Sequence, residues 1–256
     1  MARVLIVDND TAEVNAKRRA LAGHSSGEGY AAALVEVDAA CKTEIICPYD
    51  GDATPDLSRF DGVAFTGSGV EWNTDDQRAE PLAAVMRTTF AAGVPAFGSC
   101  NGMQLAASVL GGTSEASPNG REDGLALDIR LTEAGRTHPM MEGRRDGFAV
   151  PCVHRDEVTR LPEGAVVLAG NTHTPVQAIC IERDGFRFWG VQYHPEYSLP
   201  FIGRGVRDWN RWPADKAADL EIAHQDAAAA RRLGARFEDL QTPARMSELR
   251  NWLCSL

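Results

Sequence analysis

Hydrophobic residues fall first into short unbroken runs and later into stretches of mixed spacing. Val4-Leu5-Ile6-Val7 opens the pattern, and segments 3–8, 43–47, 62–66 and 94–98 are all short and mainly apolar. Such runs read as strands, the first of them buried. Between them, segments 29–40, 77–92 and 101–110 carry helix-like spacing and good helix formers. Strand and helix in alternation predict a parallel sheet with helices on both faces.

The second half has a different rhythm. Segments 126–131, 147–153, 166–170, 176–182 and 186–192 are strand-like and separated by turn residues. Antiparallel strands added to the parallel core are therefore expected. Segment 214–234 is Ala-rich with interspersed charges and predicts one long helix by propensity, and 243–256 predicts another. The expected organisation is an α/β unit over 1–200 and a helical extension over 201–256 packed on the same domain. Trp209, Trp212 and Trp252 lie in that extension. They are expected to pack it onto the core, with a lid or docking role as the alternative.

Composition narrows the function classes. The 256 residues are 44% hydrophobic and 24% charged, as in ordinary globular proteins. Basic residues number 26 and acidic ones 36, for a net charge of −10. That balance argues against nucleic acid or an anionic membrane as a partner. No apolar run approaches the length of a membrane span, and the first residues read as a strand rather than a signal peptide. Six cysteines are scattered without a Cys-x-x-Cys pair. This argues against a disulfide framework or zinc site and for a reducing cytoplasm. His24, His138, His173 and His224 form no ligand-spaced cluster.

The sharpest chemical signal is Gly98-Ser99-Cys100-Asn101-Gly102, where an apolar strand turns into an apolar helix. Glycines two positions either side of a nucleophile permit a sharp, strained elbow. The turn leaves Cys100 at a helix N-terminus, which favours a thiolate, and aims the Asn101 amide at a forming oxyanion. A buried structural cysteine in an ordinary turn is the alternative. A candidate base lies in Tyr193-His194-Pro195-Glu196, where extended geometry puts His194 and Glu196 on one side of the chain. Pro195 stiffens that arrangement, and the carboxylate would set the imidazole tautomer. Thr66-Gly67-Ser68-Gly69 ends a buried strand in a glycine-rich turn, from which backbone amides could approach an oxyanion.

In this order the three motifs resemble the class I (triad) glutamine amidotransferase family, in the branch similar to the glutaminase domain of GMP synthase. The resemblance spans most of residues 1–200. It implies a flavodoxin-like fold, a mixed and mainly parallel sheet flanked by helices. It also implies Cys100 as nucleophile, His194 as base and Glu196 as its orienting partner. Gly67 and Asn101 would supply the oxyanion amides. Gln104, one helical turn beyond Cys100, would hold the substrate. Val153-His154-Arg155-Asp156 resembles the family's Ser-His-x-Asp stretch, with valine where serine is frequent, and places His154 beside the substrate. Segment 117–124 resembles a loop of the same branch.

The implied chemistry is hydrolysis of glutamine to glutamate and ammonia, with no metal or organic cofactor. The ammonia would pass to an acceptor or a separate synthetase subunit. Hydrolysis of another γ-glutamyl compound by the protein alone is the first alternative. A non-catalytic binding relative and an unrelated α/β-hydrolase are the others.

Overall fold

The computed structural model describes residues 1–256. Its strands are β1 (Arg3–Val7), β2 (Lys42–Ile46), β3 (Gly62–Phe65), β4 (Ala96–Ser99), β5 (Thr113–Ala116), β6 (Glu122–Leu131), β7 (Phe148–His154), β8 (Asp156–Arg160), β9 (Ala165–Gly170), β10 (Ala178–Arg183) and β11 (Phe186–Val191). Its helices are α1 (Ala12–Ala22), α2 (Ser26–Val37), α3 (Glu80–Ala91), α4 (Asn101–Val109), α5 (Leu199–Asp208), α6 (Ala214–Ile222), α7 (Ala227–Arg232), α8 (Thr242–Arg245) and α9 (Ser247–Cys254).

Nine strands form one sheet in the order β2-β1-β3-β4-β11-β10-β9-β6-β7, and β5 and β8 pair separately. The first five are parallel and the remaining pairings antiparallel. This is the mixed, mainly parallel α/β architecture that the alternating first half and the strand-rich second half predict.

The unbroken apolar runs follow from a sheet covered on both faces. Along β1, Val4 and Ile6 pack with Tyr30 and Leu34 of α2 and Trp252 of α9. Leu5 and Val7 point the other way, into a core with Leu82 and Met86 of α3 and Leu105 of α4. A third core joins Phe201, Ile202 and Val206 of α5 to Leu220 of α6, over Leu125 of β6 and Ala149 of β7. Helices α5, α6 and α7 thus pack onto the antiparallel end of the sheet, while α9 covers its parallel part.

Several boundaries depart from the sequence pattern. The helix expected over 214–234 is broken. Asp226 is extended there (φ −123°, ψ 106°), and its carboxylate caps α7 by accepting from the amides of Ala228 and Ala229. The helix expected over 243–256 is likewise two, α8 and α9, interrupted at Met246 (φ −97°, ψ 19°). Helix α2 starts earlier than expected, because Ser25 and Glu28 form a capping box. Segment 156–160, to which the sequence pattern assigns no strand, is β8 and pairs with β5. Neither α1 nor α5 is anticipated, and both border the candidate site.

Candidate active site

The three motifs meet because three neighbouring parallel strands deliver them to one edge of the sheet. β3 ends at Thr66-Gly67, β4 at Cys100 and β11 at the turn carrying His194, with Phe65 and Gly190 each in register with Gly98. Ligand sites of open α/β sheets lie outside the carboxyl ends of such strands.

Cys100 occupies the elbow with φ 49° and ψ −106°, a conformation that a non-glycine residue adopts only under constraint. Its N–H donates to the Val191 carbonyl at 2.7 Å and its carbonyl accepts from Gln104 N–H at 3.0 Å, which fixes the turn. The flanking glycines are steric necessities. A Cβ on Gly98 would lie 2.5 Å from the Gly102 carbonyl carbon, and one on Gly102 would lie 2.5 Å from the Phe65 carbonyl oxygen.

His194 and Glu196 are both buried and meet at 2.6 Å between Nδ1 and Oε1. That contact leaves Nε2 without a hydrogen-bond partner and free to take a proton, while the Cys100 thiol donates to the Val153 carbonyl at 3.8 Å. Burial disfavours the charged imidazole. Tyr197, the Glu196 carboxylate and the Cys100 thiol outweigh it and hold the His194 pKa well above the ordinary histidine value. Tyr197 stacks flat on the imidazole, with centroids 4.0 Å apart and planes 3° apart. Its hydroxyl accepts from Arg18 at 2.7 Å, and Arg18 also pairs with Asp10 at 3.4 Å.

Asp10 carries this chain on to the glycine-rich turn. Its Oδ1 accepts from Gly69 N–H at 2.7 Å and from the Ser68 hydroxyl at 2.9 Å. The Thr66 hydroxyl accepts from Asn9 N–H and donates to the Gly67 carbonyl, both at 2.9 Å, while the Asn9 side chain donates to Asn101 Oδ1 at 2.9 Å. Asn9 therefore ties the turn to the elbow. The Gly67 amide donates to no atom of the chain, and Asn101, as the first residue of α4, presents one of the free N–H groups of a helix start. A Cβ on Gly67 would lie 2.5 Å from His194 Cε1, so only glycine lets the turn and His194 approach so closely.

Cys100, Asn101, Gln104 and His194 line a cavity of about 760 Å³. Gln104 is buried, and its amide nitrogen donates to the Asp156 carbonyl at 2.7 Å and to Gln192 Oε1 at 3.2 Å. Gln192 in turn donates to Cys100 Sγ at 3.6 Å. His154 also borders the cavity, but both ring nitrogens are engaged within the protein. Nε2 lies 2.9 Å from Glu122 and Nδ1 lies 3.1 Å from the Asp156 carbonyl. Glu122 also accepts from Asn171 and Gln177, each at 2.7 Å. Burial alone would raise the Glu122 pKa, and these hydrogen bonds outweigh it and hold it below the usual carboxylate value.

Sequence reasoning passes over Gln192, Tyr197, Arg18 and Arg245. For Gln192 a signal exists, since it stands two residues before His194 at the end of an extended strand. The others depend on contacts across the fold. Arg245, at the end of α8, donates to the carbonyls of Pro195 and Tyr197, the latter at 2.9 Å, and so holds the histidine turn from behind.

Comparisons with known proteins place the chain in a family. Residues 23–204 match the family model "Glutamine amidotransferase class-I". The chain is 38% identical over 205 residues to a γ-glutamyl-L-1-hydroxyisopropylamide hydrolase of Pseudomonas sp., covering 77% of this chain and 68% of that protein. It is 41% identical over 128 residues to the GMP synthase of Streptomyces avermitilis, covering 50% of this chain but 23% of the synthase. A glutamine amidotransferase structure from Thermotoga maritima superposes with a TM-score of 0.68 at 17% identity, over 98% of this chain and 96% of that one. One from Methylobacillus flagellatus gives 0.63 at 21% identity, over 98% and 91% respectively. This chain belongs to the class I glutamine amidotransferase family.

Proposed function

We propose that this chain hydrolyses γ-glutamyl amides through a thioester on Cys100. The observation that carries this is the convergence of an elbow cysteine, a His194–Glu196 pair with a free Nε2 and two unengaged amides at the ends of three adjacent strands.

The thiol proton passes to His194 Nε2, and the sulfur attacks the γ-carbonyl carbon of the substrate. The Gly67 and Asn101 amides stabilise the oxyanion. Collapse of the tetrahedral adduct breaks the C–N bond, and His194 returns the proton to the departing amine. Water then adds to the thioester, giving its proton to His194. Glutamate leaves, and the thiol is restored. Glu196 keeps Nδ1 protonated throughout, so that Nε2 alone handles the moving proton. Every step uses this chain's own groups.

Gln104, Arg155 and Asp156 border the cavity and suit the polar end of a γ-glutamyl group. Arg155 faces Asp156 with two contacts of 2.8 Å, so an α-carboxylate and an α-ammonium could each find an opposite charge. His154 acts indirectly here, orienting Asp156 through its backbone carbonyl.

A second reading has observations of its own. The GMP synthase matches support a glutaminase that passes ammonia to a separate synthetase subunit. The Pseudomonas hydrolase is matched over more of this chain and most of its own length, which favours direct hydrolysis. All six cysteines are unpaired, as a reducing cytoplasm maintains them, and we place the protein there. No helix is long and apolar enough to cross a membrane.

The test is release of ammonia or amine from glutamine and from γ-glutamyl alkylamides, by wild type and Cys100→Ala. Thiol-dependent release is expected from the wild type and none from the variant. Appreciable turnover by Cys100→Ala would remove the nucleophile assignment.

A further inference from the structure

The cavity continues past the reacting groups into a cleft between α1 and the start and end of α5. One wall is aromatic, formed by Tyr197, Phe201 and Trp209. The opposite wall comes from α1, where Val14, Arg18 and Leu21 follow helical spacing and share one face. Tyr197 and Phe201 meet edge to face with centroids 4.8 Å apart, and the Arg18 guanidinium covers both rings at 5.1 and 5.4 Å. Trp209 is 39% exposed at the outer end, one of few large apolar side chains left to solvent.

The position of this cleft fixes what would enter it. His194 must give its proton to the departing nitrogen, so whatever that nitrogen carries lies on the His194 side of the scissile carbon. Tyr197 is stacked on His194, and Phe201 and Arg18 continue the surface outward from Tyr197. Ammonia would leave this surface empty. Several charges beside the cleft are already partnered: Arg18 with Asp10, Lys17 with Glu13 at 2.7 Å, Asp208 with Arg207 at 3.3 Å, and Arg121 and Arg211 with a shared Asp123 at 3.2 and 3.0 Å. A cleft with aromatic and aliphatic walls, in which most charged side chains have partners of their own, favours an apolar, uncharged substituent over a carboxylate.

Building on the hydrolase chemistry proposed above, we infer that the α1–α5 cleft is the subsite for the leaving amine. Its ligands are γ-glutamyl amides whose nitrogen carries an uncharged alkyl or aryl body. The bond broken and the proton transferred are those of glutamine hydrolysis, and only the group on the nitrogen changes.

The test compares kcat/KM for glutamine, γ-glutamyl-n-butylamide, γ-glutamyl-anilide and γ-glutamyl-alanine. The butylamide and anilide are expected to exceed both glutamine and γ-glutamyl-alanine by about tenfold or more, as apolar pocket contacts give. In Trp209→Ala, and in Leu21→Trp, which fills the cleft, the ratio of anilide to glutamine should fall by about tenfold. Hydrolysis of glutamine with no gain for the apolar amides, or ratios unmoved in both variants, would overturn the subsite and leave the hydrolase reading standing. Preference for γ-glutamyl-alanine would overturn the assignment of an uncharged body. No turnover of any substrate would overturn the hydrolase reading, and the subsite with it.

Discussion

The two halves of the proposed catalytic pair, Cys100 as nucleophile and His194 as base, are held by opposite means. The nucleophile is fixed by backbone: two glycines, a left-handed cysteine and the hydrogen bond to Val191, all within a few residues or one strand pairing. The base is fixed by side chains drawn from across the chain. Tyr197 supports its plane, Arg18 of α1 holds Tyr197, and Arg245 of α8 grips the turn beneath it. Glu248 of α9 completes this support, accepting from Tyr193 at 2.7 Å and from Arg144 at 2.6 and 2.7 Å. The nucleophile therefore resists perturbation outside its own strand and helix. The base depends on helices far from it in sequence, α1 before it and α8 and α9 after it.

That contrast can be broken most forcefully at the elbow. Gly102→Ala places a methyl 2.5 Å from backbone that cannot yield. We expect loss of all measurable activity and destabilisation of about 3 kcal/mol or more, at or beyond the usual cost of overpacking. Chemical denaturation beside an activity assay checks both. A stable, active variant would show that the elbow is not sterically fixed.

A smaller effect is expected behind the base. Arg245→Met removes the donor to Pro195 and Tyr197 while keeping an apolar stem in α8. We expect kcat to fall by about 10- to 100-fold, the scale of a small misplacement in a catalytic group. KM for glutamine should change much less, because glutamine does not reach the α1–α5 cleft that Tyr197 lines. Equal changes in the two constants, or none, would separate the C-terminal helices from catalysis.

The most delicate comparison concerns protonation. In Glu196→Gln the imidazole loses its carboxylate, and its pKa should move down toward the ordinary value, read by NMR of the ring protons. The sign for stability follows from the wild-type direction. His194 titrates in the folded state well above its reference of 6.5, so its stabilising contribution is complete just below pH 6.5. It is lost as pH rises through the raised native value. The stability difference between wild type and Glu196→Gln should therefore shrink with rising pH. A difference that widens over that interval would contradict the account of the pair.

The same division explains what the sequence discloses. The elbow, the glycine-rich turn and His-Pro-Glu are local motifs whose residue types state their geometry, and the unbroken runs of β1 and β3 announce a sheet covered on both faces. Helix α1 escapes notice because Glu13, Asn15, Lys17, Arg18 and Arg19 leave little apolar periodicity. Helix α5 is masked by Pro200, Gly203 and Gly205, although its buried stripe is clear once Phe201, Ile202 and Val206 are seen packed. The break at Asp226 is hidden by alanines that favour helix downstream of it. The roles of Arg18 and Arg245 require contacts between residues about 180 and 50 positions apart, which no local pattern encodes.

The central claim, a γ-glutamyl thioester on Cys100, is tested most directly by acid-quenching the enzyme during turnover of a γ-glutamyl amide and weighing its peptides. One added γ-glutamyl group is expected on the peptide carrying Cys100, absent from Cys100→Ala and lost on standing at neutral pH. An adduct on another residue, or turnover with the Cys100 peptide unmodified throughout, would contradict it.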